Sequence, residues 1–263
     1  MNRLEEILHA KQEEISRLRS RGDEIRRAAL LRNDFRSLKN ALRRSEEKLA
    51  VIAEVKKASP SAGVIVPNFD PVVIARDYEK AGADAISVLT DEKFFQGSLD
   101  HLRDVRRAVN LPVLRKDFIL DEIQIAEAVA AGADAILLIV AALTQDQLVR
   151  LRELASTFQI DALVEVHSLP EMERAVEADA EIIGINNRDL TTLKVDLSVT
   201  EQLCEEIPPD VIAVSESGIK SEADLKRVRD CGMNAVLIGE SFLRGELSVQ
   251  QIRSRLSRSN GAG

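Results

Sequence analysis

The chain has 263 residues, of which 45% are hydrophobic and 30% charged. That is enough for a large buried core in one domain, and it excludes a disordered chain or a collagen-like repeat. The net charge of −8 argues against nucleic acid as the main partner, and the longest apolar run, nine residues from Ala135 to Leu143, is about half of what a membrane-spanning helix needs.

At the N-terminus, Arg3, Glu5 and Glu6 stand where a secretion signal needs its apolar stretch, so a cytoplasmic protein is expected. Residues 1–48 carry 13 lysines and arginines against 9 acidic residues, a net +4, whereas the remainder carries −12. Leu4, Ile7, Leu8, Ile15 and Leu18 keep helical spacing, and Gly22-Asp23 breaks the run before a second helix. The pattern predicts a basic helical extension with a solvated face. Phe35 is its single aromatic, too few for a nucleic-acid stacking surface.

From residue 49 to 263 the pattern becomes short apolar runs separated by amphipathic stretches. The runs begin near Leu49, Ala83, Pro112, Ala133, Asp161, Glu181, Val211 and Asn234. Eight such runs, apolar on both faces and each followed by a helical stretch, predict a (β/α)8 TIM barrel preceded by the helical extension. A doubly wound sheet is the alternative, but the chain has no G-x-G-x-x-G or Walker sequence. A-G-A-D-A-I at Ala81 to Ile86 returns at Ala131 to Ile136, and C-G-M-N-A-V at Cys231 to Val236 is a looser copy. Cys204 and Cys231 have no metal-binding spacing and read as buried helix residues.

Barrel chemistry collects at the C-terminal strand ends. The first run ends in Glu54 and Lys56, the third in Lys116 and Phe118, the fifth in Glu165, the sixth in Asn186 and Arg188. Period-two alternation puts each pair on one face, so two lysines and two glutamates are expected at one mouth. Opposite charges in a partly desolvated cavity shift one another's pKa, which suits general acid and base work. His167, two residues past Glu165, reads as a loop residue. The last two runs end in Ser217-Gly218 and in Gly239, Glu240 and Ser241, small residues whose backbone N–H groups suit a phosphate. Glu240 is expected to turn its carboxylate away from that anion. Phe94, Phe95 and Phe118 lie near the same mouth and suggest a flat apolar ligand portion. The 13-residue loop from Lys57 to Phe69 is long enough to close over a ligand.

E-V-K-K-A-S-P-S at Glu54 to Ser61, T-D-E-K-F-F-Q-G-S at Thr90 to Ser98, L-R-K-D-F at Leu114 to Phe118, L-V-E-V at Leu163 to Val166, G-I-N-N-R-D-L at Gly184 to Leu190, S-E-S-G-I at Ser215 to Ile219 and L-I-G-E-S at Leu237 to Ser241 follow one another in this order. Over roughly residues 49–245 the chain thereby resembles indole-3-glycerol-phosphate synthases. The resemblance implies a cofactor-independent, metal-free carboxy-lyase of tryptophan biosynthesis. Its substrate would be 1-(2-carboxyphenylamino)-1-deoxyribulose 5-phosphate, which closes a ring and loses carbon dioxide and water.

It implies a catalytic set of Glu54, Lys56, Lys116, Glu165, Asn186 and Ser217. Lys116 would be the acid for ring closure, Glu54 and Glu165 the acid–base pair of dehydration, Lys56 a second cation, and Asn186 the group orienting Glu54. For binding it implies Ser59 and Pro60 in the first loop, Phe95, Phe118, Leu137 and Leu190 around the ring, and Gly218, Gly239 and Glu240 with Ser217 at phosphate. Arg188 either pairs within the site or touches the substrate. No aromatic precedes Phe35, so an N-terminal ring contact described for some relatives has no counterpart. The expected partner is a small phosphorylated molecule, with no nucleic acid or membrane, in a monomer or weak homodimer. A related phosphate-binding isomerase barrel and a non-catalytic metabolite sensor remain as alternatives.

Overall fold

In the computed structural model, which describes residues 2–43 and 49–254, eight parallel strands close on themselves. They are β1 (Ala50–Val55), β2 (Ala85–Leu89), β3 (Val113–Lys116), β4 (Ala135–Ile139), β5 (Asp161–Val166), β6 (Ile182–Asn186), β7 (Ile212–Glu216) and β8 (Ala235–Ile238). Each begins within two residues of the expected apolar run. The TIM barrel is therefore the fold, with the helical extension before it; the expected boundary between residues 48 and 49 borders residues outside those described.

Alternation explains why these strands are apolar throughout yet carry charge at one end. Ala50, Ile52, Leu114, Leu137, Leu163, Ile182, Val214 and Leu237 point inward and form one cluster. Their neighbours Val51, Ala53, Val113, Leu138, Val164, Ile183 and Val236 point outward to the helices and form another. Continuing the inward period by two residues places Glu54, Lys116, Glu165 and Glu216 at the C-terminal mouth, and by four, past Gly184, Asn186.

The internal repeat has one physical role. Asp84 accepts the Val51 N–H at 2.8 Å, Asp134 accepts the Val113 N–H at 3.0 Å, and Asn234 accepts the Ala213 N–H at 2.7 Å. Each copy thus satisfies an otherwise orphaned donor at the entry of a neighbouring strand.

The extension wraps the barrel from end to end. Its helices are α1 (Arg3–Arg19), α2 (Gly22–Leu30) and α3 (Leu38–Leu42). α3 closes the N-terminal end: Leu38 and Leu42 are fully buried in the inner cluster, and the Lys39 N–H donates to Asp161, the first residue of β5. α2 packs on the helix after β3, Glu122–Ala131. α1 lies at the opposite end, where Ile7 joins Phe118 in the inner cluster. Cys204 and Cys231 sit at helix ends and are only partly buried, so the reading of them as buried helix residues is corrected. No helix among the described residues is long and apolar enough to cross a membrane.

Candidate active site

Fourteen of the sixteen residues singled out in the sequence line a single cavity of about 370 Å³ at the mouth. Ser59 and Pro60 line a smaller one of about 80 Å³ beside it, which shares Lys56, Phe95, Phe118, Arg188 and Leu190 with the first and is walled by Leu4 and Ile7 of α1. The extension therefore supplies aliphatic rather than aromatic surface to the apolar end. Phe95 and Phe118 face that end with ring centroids 6.5 Å apart, and Leu137 and Leu190 complete its lining. Phe95 sits on a one-turn helix, Glu92–Phe95, whose N-cap Asp91 accepts the Phe94 N–H at 2.7 Å. Within the loop after β1, Ala58–Ser59 pairs antiparallel with Gly63–Val64 in a short hairpin.

The polar floor is built around Lys116. Its Nζ lies 3.2 Å from Glu165 Oε2 and 3.2 Å from Glu216 Oε2. Burial alone would drive the ammonium to lose its proton, but Glu165, Glu216 and Glu54 outweigh it and push the Lys116 pKa above its ordinary value. Lys116 therefore rests in its protonated, cationic form. Burial also penalises the Glu54 carboxylate, yet Lys56, in contact with it, and Lys116 hold its pKa below the usual range. Glu165 behaves likewise: Lys116 and His167 more than offset its burial and keep it ionised. Glu216 does not. Its burial, reinforced by the charge of Glu165, exceeds the help from Lys116 and pushes its pKa up to about 7. Four strands thus bring together carboxyl groups of two characters within reach of one ammonium.

Glu216 is the functional candidate that the sequence reading passed over. V-S-E-S-G was read for its small residues alone, although the same alternation that selected Glu165 also points Glu216 inward. His167 lies in the bend after β5, as its position predicts, and its partly buried ring stands between Glu165 and Glu171. Asn186 was expected to orient Glu54. It instead helps keep the Glu165 carboxylate ionised, because β5 and β6 are neighbours whereas two strands separate β6 from β1. Asn186 Oδ1 also accepts the Arg188 N–H at 3.0 Å.

Two glycines make room for these carboxylates. A Cβ at Gly184 would lie 2.2 Å from Glu216 Oε1, and one at Gly239 would lie 2.4 Å from Glu54 Oε1. Gly184→Ala is accordingly expected to displace Glu216 and lower kcat by roughly 10²-fold, the cost of an ångström-scale misplacement. Steady-state kinetics check this; an alanine variant with wild-type kcat would show that the position of Glu216 is immaterial.

Opposite the aromatic end, the turn after β7 places Ser217 and Gly218 in the left-handed region, at φ 64° and 82°. The Ser241 hydroxyl donates to the Ile219 carbonyl at 2.7 Å and ties this turn to the one after β8, where Gly239 precedes the short helix Glu240–Leu243. Lys220 and Arg244 line the same part of the cavity. The Glu240 carboxylate is engaged by Arg244 Nε at 2.9 Å and lies 3.8 Å from Arg188 Nη2. Arg188 pairs within the site, donating also to the Leu193 carbonyl at 3.1 Å.

A closed parallel barrel with an ammonium among carboxyl groups and an aromatic wall at its C-terminal mouth defines a (β/α)8-barrel enzyme of the acid–base kind. Comparison with known proteins makes the class specific. The family model for indole-3-glycerol phosphate synthase matches residues 4–254, and the chain belongs to that family. Proteins named indole-3-glycerol phosphate synthase from Chloroherpeton thalassium and Pelodictyon phaeoclathratiforme are each 51% identical to it, over 253 and 245 residues. These alignments cover 94% and 92% of this chain, and 96% and 95% of the relatives. The protein of that name from Geobacillus kaustophilus is 51% identical over 242 residues, 92% of either chain.

Proposed function

We propose that the chain converts 1-(2-carboxyphenylamino)-1-deoxyribulose 5-phosphate to indole-3-glycerol phosphate, carbon dioxide and water. The observation that carries the assignment of roles is the ammonium of Lys116 held 3.2 Å from two carboxyl groups of opposite protonation tendency. The phenyl ring would lie against Phe95, Phe118, Leu137 and Leu190, with Ser59 and Pro60 beside it. The phosphate would take backbone N–H groups around Ser217, Gly218, Gly239 and Glu240, since the Glu240 carboxylate is held by arginines.

Between those anchors the ketone comes to Lys116. As the carboxyl-bearing ring carbon bonds to the ketone carbon, negative charge grows on oxygen, and Lys116 stabilises it and delivers the proton. The carboxylate then leaves as carbon dioxide, its bond electrons returning to the ring. The new hydroxyl must leave as water while a proton departs beside it. Glu216, whose raised pKa of about 7 lets it keep a share of its proton at neutral pH, is the acid suited to the first task. Glu165, ionised, is the base suited to the second, with Asn186 orienting it. Glu54 with Lys56 binds and orients the sugar hydroxyls.

Incubating the protein with the substrate and a chelator should give rising indole fluorescence with one carbon dioxide per turnover. A ring-closed product without carbon dioxide, or no product at all, would refute the assignment.

A further inference from the structure

His167 follows β5 and faces two carboxylates. Its Nε2 is 3.3 Å from Glu165 Oε1, and its Nδ1 is 3.1 Å from Glu171 Oε2, on the helix Leu169–Glu177. The backbone N–H of His167 also donates to Glu171 Oε2 at 2.9 Å, which fixes that carboxylate under the ring. A neutral imidazole has one N–H and one bare nitrogen, so between two anions it would set a lone pair against one of them. Only the doubly protonated ring suits both. With 14% of the side chain exposed, the ring gets little screening from water.

The consequence falls on Glu165. Its Oε1 faces His167 and its Oε2 faces Lys116, so each oxygen has a cation. Glu216 pairs with Lys116 through Oε2 and lies beside the negative charge of Glu165. Two carboxyl groups that share one ammonium compete for a single proton, and an extra cation beside one of them decides which stays ionised. We propose that His167 is a positioning residue, a cationic clamp between Glu165 and Glu171 that keeps Glu165 ionised and leaves the proton of the pair on Glu216. This rests on the acid and base roles assigned above.

The groups facing His167 are Glu165 from β5 and Glu171 from the following helix, with Lys116 and Asn186 behind Glu165. Burial works against the charged ring, but the two glutamates outweigh it and push the His167 pKa from 6.5 up to about 10. The sign for stability follows. The folded state retains a proton that the unfolded chain loses above the ordinary value, so this contribution is complete below 6.5 and fades as pH rises toward about 10.

The test uses the full chain with 15N-labelled histidine. The chain has three histidines, and His167→Gln assigns the signals of interest. Both ring nitrogens of His167 should keep imidazolium shifts to roughly pH 9, well past the usual histidine range. A ring that titrates at its ordinary value overturns the proposal, and this reading needs only the wild-type protein should the variant fail to fold. In kinetics, His167→Gln should lower kcat about tenfold or more with KM within about threefold, a share of the acid–base contribution. The limb of the pH profile set by the carboxyl pair should move to higher pH, because a charge that opposed protonation is gone. Wild-type kcat and an unmoved profile overturn the clamp.

Glu165→Gln in the same assay separates the two layers. If it turns over like wild type, the role of Glu165 itself fails. If it is inactive while His167→Gln behaves as wild type, only the clamp fails.

Discussion

Replacing Lys116 by methionine should reduce kcat at least ~100-fold, the lower end of what a positioned general acid contributes, while the substrate still binds. The aromatic wall and the loops after β7 and β8 do not depend on Lys116, so KM should change far less. Ring closure loses both its proton donor and the charge that stabilises the developing oxyanion, and no other group replaces them: Lys56 is already in contact with Glu54.

The same substitution has a signature in stability. Without the ammonium, Glu165 and Glu216 face each other uncompensated, and both folded pKa values rise. A carboxyl group whose folded pKa exceeds its unfolded value stabilises the fold at low pH and loses that contribution as pH rises. Lys116→Met should therefore unfold at nearly the wild-type temperature at about pH 5 and fall behind at about pH 8. Stopped assays and thermal melts at the two pH values check both halves. A variant retaining more than a tenth of wild-type kcat would remove Lys116 from the chemistry.

The barrel was legible because its signals are local and repeated. Apolar runs recur at the spacing of a strand and helix, and A-G-A-D marks the points where Asp84 and Asp134 satisfy neighbouring strand ends. The inward positions of Glu54, Lys116 and Glu165 followed from alternation. Glu216 and His167 stand on the same two-residue period and were equally accessible to that rule. Their neighbours drew a different explanation: Ser217 and Gly218 suggested a phosphate cradle, and the position of His167 past the strand end suggested a loop. What a single strand could not reveal is partnership across the barrel, since whether Asn186 meets Glu54 or Glu165 depends on strand order. Lys11 shows the limit most sharply. It lies on the helical stripe of Leu4, Ile7, Leu8 and Ile15, and its place there is a signal only if the carboxylates awaiting it are known.

Those carboxylates make Lys11→Met the substitution with the largest expected effect on stability. The Lys11 ammonium is 1% exposed and pairs with Asp117 at 2.8 Å, Asp91 at 3.0 Å and Glu14 at 2.8 Å. Burial disfavours it, but the three acidic groups prevail and raise its pKa. Asp117 is committed further, accepting from Thr90 at 2.6 Å and Arg115 at 3.1 Å. Methionine keeps the volume but takes the ammonium from buried Asp91 and leaves Asp117 with Arg115 and Thr90, so the loss should be about 3–5 kcal/mol, the usual cost of removing one partner from a buried ion pair. In a chain of this size that lowers Tm by roughly 6–20 °C.

The effect should also reach the substrate. Asp91 caps the turn that carries Phe95, and Asp117 lies between Lys116 and Phe118 in the chain. Loosening α1 also withdraws Leu4 and Ile7 from the apolar end of the cleft. KM should rise several-fold with a smaller change in kcat, because the carboxyl groups around Lys116 are held by the barrel strands and not by α1. Calorimetry together with Michaelis–Menten kinetics tests this; a Tm within about 2 °C of wild type would mean that the ion cluster does not fasten the extension to the barrel.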